Sequence, residues 1–316
     1  MADGDRLAGL RAHGKFIDPD RTREGKARAA AAFLRLDTLW VNTGTLCNIE
    51  CRNCYIESSP TNDRLAYFTL GDFTPFLTEA AAHGAKEIGF TGGEPFMNPD
   101  IIAMIEATLR TGLKALVLTN AMRPAMRPAM RAGVRRLAAG YGTQLQLRVS
   151  LDHYSARLHD EERGAGAFDA AIEGLKNFSG DGVGLSVAGR AKFGEDEAAA
   201  RAAYAMLFKK HALAIDASSP AELVLFPEMD EEVETPEITT DCWSILGKSP
   251  ADLMCANSRM AIKRKGEKPS LVACTLIVDD AAFDMGRTIA EAMRPVPLKH
   301  PHCSRFCVLG GARCSQ

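Results

Sequence analysis

Apolar residues along this chain fall into short runs that alternate with longer stripes of helical spacing. The short runs predict strands at Thr38–Asn42, Glu87–Thr91, Leu113–Thr119, Leu145–Ser150, Val183–Ala188 and Leu223–Phe226. The stripes predict helices over Leu70–His83, Pro99–Arg110, Met122–Ala139, Ala167–Phe178 and Asp196–His211. Punctuation agrees. Gly84 and Gly112 stand just past helix ends, and Asn98-Pro99 reads as a cap followed by proline at the first helical position. Strand and helix alternating six times predicts parallel β/α units with right-handed crossovers, either a doubly wound sheet or an incomplete barrel.

The flanking segments are less periodic. Residues 1–36 read as an N-terminal extension, a polar lead followed by a helix near Lys26–Leu36. The acidic, proline-containing stretch Glu228–Asp241 marks a boundary, so residues 37–230 form the β/α unit and 231–316 a smaller C-terminal domain. In that last part Met260 and Ile262, then Leu271 and Val272, flank Gly266 as a β-hairpin would, and a helix is expected at Asp280–Met293. A tetrapeptide repeat sets Arg123, Arg127, Arg131 and Arg135 four apart, a solvated helix face or an anion-binding row.

Composition narrows the class. With 46% hydrophobic and 25% charged residues in 316, the chain is neither disordered, collagenous nor a coiled coil. The net charge, 38 basic against 40 acidic residues, is −2, so no global field draws nucleic acid. No run of about 18 apolar residues could span a membrane, and no apolar segment follows the first residues as a secretory signal would. The expected location is therefore the cytoplasm, where thiols stay reduced, and nine cysteines there point to metal or cluster ligands rather than disulfides.

The candidate chemistry sits where either fold gathers ligands, at the C-terminal ends of the strands. Cys47, Cys51 and Cys54 follow the first strand with C-x3-C-x2-C spacing. Three thiolates so close can hold one face of an iron–sulfur cluster and leave one iron without a protein ligand, whereas a closed zinc site wants four ligands. Gly92-Gly93-Glu94-Pro95 follows the second strand, Thr119-Asn120 ends the third and Ser150-Leu151-Asp152 ends the fourth. The polar Asn48, Glu50, Arg52 and Asn53 between the cysteines do not read as core.

On these residues the chain resembles the radical S-adenosylmethionine (radical SAM) superfamily, whose hallmark is that cysteine loop followed by an aromatic residue, here Tyr55. The resemblance implies an α/β fold, a partial (β/α)6 barrel of TIM type. It implies a 4Fe–4S cluster on Cys47, Cys51 and Cys54, whose open iron chelates SAM, and reductive cleavage of SAM to methionine and a 5′-deoxyadenosyl radical. An electron donor such as ferredoxin or flavodoxin is implied as partner. Gly92, Gly93, Glu94 and Pro95 look like the family's GGEP motif, which receives the SAM amino group. Asp152, with Ser150 and Arg163, lies in a segment similar to that of peptide- and sulfatase-maturating members. It implies that Ser150 and Arg163 hold the SAM carboxylate, with Asn120 as a ribose contact. For Arg163 the bland reading is a surface pair with Glu161 or Glu162.

The late cysteines resemble the auxiliary-cluster extensions called SPASM and twitch domains. Cys255 and Cys274 bracket the expected hairpin, and Cys303 and Cys307 would complete one second 4Fe–4S cluster, with Cys314 a fifth candidate. Two departures stand out: the gap from Gly266 to Cys274 is longer than the usual four residues, and the late pair has spacing x3 where twitch forms have x2. A structural zinc site, with His300 and His302 nearby, is the competing reading, and Cys242 beside Trp243 reads as a buried thiol. The expected activity is hydrogen-atom abstraction from a small molecule, with oxidoreductase or rearrangement chemistry, and Glu228 or Asp230 past the sixth strand as general base. The alternatives are a peptide-modifying maturase and a non-catalytic electron-transfer protein.

Overall fold

Both faces of the first strand are covered by protein, and that governs the architecture. The computed structural model describes residues 11, 13–191, 195–227 and 234–311. Strands β1 (Thr38–Asn42), β2 (Glu87–Thr91), β3 (Lys114–Thr119), β4 (Leu145–Ser150), β5 (Gly184–Ala191) and β6 (Leu223–Pro227) are parallel and adjacent in chain order. Each crossover therefore steps one strand in the same direction, which is a barrel wind; a doubly wound sheet would reverse at a switch point. The crossovers carry α1 (Leu70–Ala82), α2 (Ile101–Arg110), α3 (Arg123–Met126), α4 (Pro128–Tyr141), α5 (Ala156–Arg163), α6 (Ala167–Gly180) and α7 (Glu197–Lys210).

The C-terminal hairpin joins this same sheet. Strand β7 (Ser258–Ile262) pairs parallel to β1, and β8 (Ser270–Val272) and β9 (Asp284–Gly286) follow antiparallel, giving one open sheet of nine strands. All five residues of β1 are buried because helices cover one face and the concave interior covers the other. Alternation sorts the side chains. Leu39, Val41, Ile88, Phe90, Val117 and Leu147 pack outward against helix residues such as Phe73, Met104, Leu137 and Leu175. Trp40, Leu116, Met260, Ile262 and Val272 form a second cluster inside the curve. Gly89, opposite Trp40, makes room for the indole: a Cβ there would lie 2.4 Å from its Cε3.

Three expectations are corrected. Lys26–Leu36 is not helical; Ala30–Ala31 pairs antiparallel with Val296–Pro297, and the buried Arg28 guanidinium reaches Glu237 and the carbonyls of Asp18, Arg21 and Leu298. Extended backbone with such partners outcompetes a helix too short to be stable alone. Asp280–Met293 is likewise a turn at Ala281–Phe283, the strand β9 and a four-residue helix at Ile289–Ala292, because β9 gains a ladder with β8 and Gly286 sits at φ +98°. The expected Met122–Ala139 helix breaks at Arg127, whose ψ of 136° is the extended conformation that a following proline imposes. The arginine row is therefore split: Arg131 pairs with Asp181, and Arg127 donates to the Phe96 carbonyl.

Gly89→Ala is expected to lower the melting temperature by forcing the indole aside, at about 1–3 kcal/mol. Trp40→Leu in the same chain removes the clash, so a double-mutant cycle by calorimetry should give a non-zero coupling between the two positions.

Candidate active site

Every strand from β1 to β6 contributes its C-terminal end to one cavity of about 220 Å³, through Asn42, Thr91, Thr119, Ser150, Arg190 and Phe226 among others. Cys47, Cys51 and Cys54 line it, and Thr275, Leu276 and Phe306 from the C-terminal segment wall it on another side.

The glycine turn after β2 sets the rim. Gly92 has φ +139°, and a Cβ on it would lie 2.5 Å from the Gly44 carbonyl; one on Gly93 would lie 2.2 Å from that of Leu46. Lacking side chains, the two residues dock on the backbone that leads into the cysteine loop, with N–H donations from Gly93 to Gly44 (2.8 Å) and from Glu94 to Leu46 (3.1 Å). The Glu94 carboxylate is used inside the fold, accepting from the N–H of Phe96 (3.1 Å), the Thr119 hydroxyl (2.8 Å) and the N–H of Asn120 (2.8 Å). Burial pushes its carboxyl up to about 7 against the pull of those donors. Of the four motif residues Gly92 and Gly93 line the cavity.

Further bonds hold the cysteine loop. Asn120 donates to Asn48 Oδ1 (2.9 Å) while its own Oδ1 accepts from the N–H of Met122 (3.0 Å). Glu162, at the end of α5, accepts from Asn53 Nδ2 (2.8 Å) through its carboxylate and from Arg52 N–H (2.8 Å) through its carbonyl. The N–H of Ser58 donates to Cys54 Sγ (3.3 Å). Helix α5 is only eight residues long and mostly polar, which is why no periodic signal announces it.

Arg163 does not pair with Glu161 or Glu162 through its guanidinium. It makes two bonds to Asp152, at 2.7 and 3.1 Å, and Asp152 also faces Arg190 at 3.4 Å. Asp152 is buried, which would raise its pKa, but the two arginines win and hold it at about 2. The N–H of Asp152 donates to His159 Nδ1 (3.1 Å), and burial lowers that imidazole to about 4, so it is neutral at pH 7. Arg190 lies over the Tyr55 ring at 5.5 Å and donates to the Asn53 carbonyl at 3.1 Å, tying β5 to the cysteine loop. Sequence reading missed Arg190 because its register on β5 decides that it points at the rim.

The donor set fits an iron–sulfur cluster at the first three cysteines. Burial pushes Cys47 up to about 12 and raises Cys51, so iron would replace protons there. Among the described residues no three His, Cys, Asp or Glu side chains converge on a point that could hold one metal ion.

The late cysteines also gather. Antiparallel pairing of Met260 with Val272 brings Cys255 and Cys274 to the same end of the hairpin. Both lie close enough to Cys303 to raise its pKa, which burial already drives well above the usual thiol value. Cys303 and Cys307 stand one turn apart on a π-helix at Cys303–Leu309, which suits their x3 spacing. The N–H of Leu276 donates to Cys274 Sγ (3.4 Å). Cys242 is half-buried and accepts from the N–H of Thr239 (3.4 Å). Glu228, Asp230 and Cys314 lie outside the described residues.

Residues 41–189 match the sequence model of the Radical SAM superfamily. The antilisterial bacteriocin subtilosin biosynthesis protein AlbA of Bacillus subtilis strain 168 is 29% identical over 145 residues, 45% of this chain and 30% of AlbA. An AdoMet-dependent heme synthase of Oleidesulfovibrio alaskensis is 27% identical over 183 residues, 57% of this chain and 43% of the synthase. The chain thus spans less than half the length of these relatives. In fold it resembles SuiB of Streptococcus suis bound to S-adenosylmethionine, with a TM-score of 0.59 and 14% identity over 90% of this chain and 66% of SuiB. SuiB has also been solved bound to precursor peptide SuiA. No helix among the described residues is long and apolar enough to cross a membrane.

Two outcomes check the site. Asp152→Asn strands Arg163 and is expected to destabilise the fold by about 3–5 kcal/mol, read from denaturant melts. Because the folded pKa of about 2 lies below the unfolded value near ~3.9, the pair's contribution is present above about pH 4 and lost as pH falls towards 2; the Asn variant should lack that slope. Gly93→Ala must push the Leu46 carbonyl away, and reconstitution followed by iron counting should show a loss confined to the first cysteine site.

Proposed function

We propose, from the premise that this chain belongs to the radical SAM superfamily, that it uses SAM cleavage to take a hydrogen atom from a small molecule that is then oxidised or rearranged. The observation that carries this reading is the convergence of Cys47, Cys51, Cys54, Gly92, Gly93, Ser150, Asp152 and Arg163 on one cavity wall. A 4Fe–4S cluster and SAM, when bound, supply the one-electron cleavage and the 5′-deoxyadenosyl radical.

The chain's own residues orient and shield. Backbone carbonyls of the Gly92-Gly93 turn accept from the ammonium of SAM, and the Ser150 hydroxyl with Arg163 donates to its carboxylate. Arg163 can do both jobs because its bonds to Asp152 use Nε and Nη2 and leave Nη1 for a ligand. Asn120 positions the cysteine loop beside its contact to the ribose. Leu118, Phe226, Leu276 and Phe306 keep water from the reacting carbon. Glu228 and Asp230, which follow β6, are assigned the proton transfer that completes the reaction. Residues 37–230 form the catalytic unit, Cys255, Cys274, Cys303 and Cys307 of residues 231–316 hold a second cluster, and a ferredoxin- or flavodoxin-type donor in the cytoplasm supplies the electron for SAM cleavage. The second reading replaces the small molecule with a peptide side chain, and the similarity to AlbA and to SuiB, solved with a peptide, favours it.

Anaerobic reconstitution with iron and sulfide, then SAM and a strong reductant, should yield 5′-deoxyadenosine, and Cys51→Ala should reduce it to background. A reducible cluster that never yields 5′-deoxyadenosine would make the protein an electron carrier instead.

A further inference from the structure

The late cysteine site holds a cation that no carboxylate among the described residues balances. Arg259, on β7, is 1% exposed. Its guanidinium donates to four backbone carbonyls: Ala292 (2.9 Å), Cys255 (2.6 Å), Ser258 (2.6 Å) and Arg294 (2.8 Å). The Phe33 ring lies 4.4 Å from its central carbon. The charges that bear on it are the thiols of Cys255 and Cys274 and the like charge of Arg294; no Asp or Glu among the described residues pairs with it. Carbonyl dipoles solvate a guanidinium without neutralising it, and Arg stays protonated inside proteins.

At the first cysteine site Arg163 and Arg190 both face Asp152, so one of the two positive charges near Cys51 is offset by a buried carboxylate. The arginines of the first site thus share a carboxylate, whereas none among the described residues acts on Arg259.

We infer that Arg259 is the counterion of the late cysteine site: its uncompensated charge offsets the thiolates of Cys255, Cys274, Cys303 and Cys307 and raises the reduction potential of the cluster they hold. This rests on the second-cluster reading above. Four thiolates give a 4Fe–4S cluster about two negative charges when oxidised and about three when reduced, so a nearby cation stabilises the reduced form more. The higher potential makes the late site a better electron acceptor than it would be without Arg259. Arg259 acts through the field and is a positioning residue, not a catalytic one.

The test is a potentiometric titration of the reconstituted protein followed by electron paramagnetic resonance, with iron and zinc counted first. Arg259→Gln removes the charge and keeps a single amide NH2 for the carbonyls; Phe33→Glu leaves every Arg259 bond in place and sets a carboxylate on the guanidinium from the half-exposed Phe33 side. Either should disfavour reduction of the second cluster at least tenfold, about 59 mV for one electron, while the first cluster moves less. Arg259→Lys and Phe33→Gln should stay within about twofold, or roughly 18 mV. An unmoved potential in the charge-altered variants, with the second cluster present, would overturn the counterion role and leave Arg259 a structural clamp. Should Arg259→Gln fail to fold, Phe33→Glu decides alone. About four irons in the wild type, unchanged in Cys274→Ala, or bound zinc, would instead overturn the second-cluster reading, and the counterion role with it.

Discussion

The site depends on the backbone contact between the Gly92-Gly93 turn and residues 44–46. Two glycines allow the end of β2 to lie against the start of the cysteine loop at distances that no Cβ permits. Everything at the rim follows from that contact. It aims the loop across the strand ends, places Glu94 where it can tie the turn to Thr119 and Asn120, and leaves Asn120 to hold Asn48. A polar loop with three cysteines would otherwise sample many shapes, since its own residues form no regular element.

Charge is the second organising constraint. The interior near the cavity holds Arg163, Arg190 and Asp152, and the low pKa of Asp152 and the neutral His159 show one coupled cluster rather than separate groups. Such a buried pair gives little net stability, because desolvation cancels much of the attraction. Its value lies in fixing the rim: Arg190 ties β5 to the loop carrying Cys54 and Tyr55. At the opposite end, Arg259 shows the same need met by carbonyls alone, which leaves a positive field beside a second set of thiols.

The two thiol groups are built on one sheet. Strand β7 lies beside β1, so the hairpin between Cys255 and Cys274 continues the barrel wall that carries the first loop. Thr275, Leu276 and Phe306 from this part line the same cavity as Cys47, Cys51 and Cys54. A segment that reads in sequence as a separate appendage supplies a wall of the site.

The strands, the crossover helices and the candidate chemistry were legible in the chain because each rests on local information: period, caps and residues spaced within one loop. Six parallel strands fell where the short apolar runs stood, and all three early cysteines reached the cavity. What local pattern could not decide was partnership. Lys26–Leu36 and Asp280–Met293 looked helical but became extended, because backbone partners far away in sequence outweighed propensity. The same holds for side chains: Arg163 beside two glutamates in sequence paired instead with Asp152, eleven residues back, and Arg190 and Arg259 carried no motif at all. Sequence determined which groups exist and which elements carry them. Only the tertiary structure decided which charges meet and which are left unbalanced, since electrostatic energy in a buried site depends on distance and desolvation, neither of which is written in chain order.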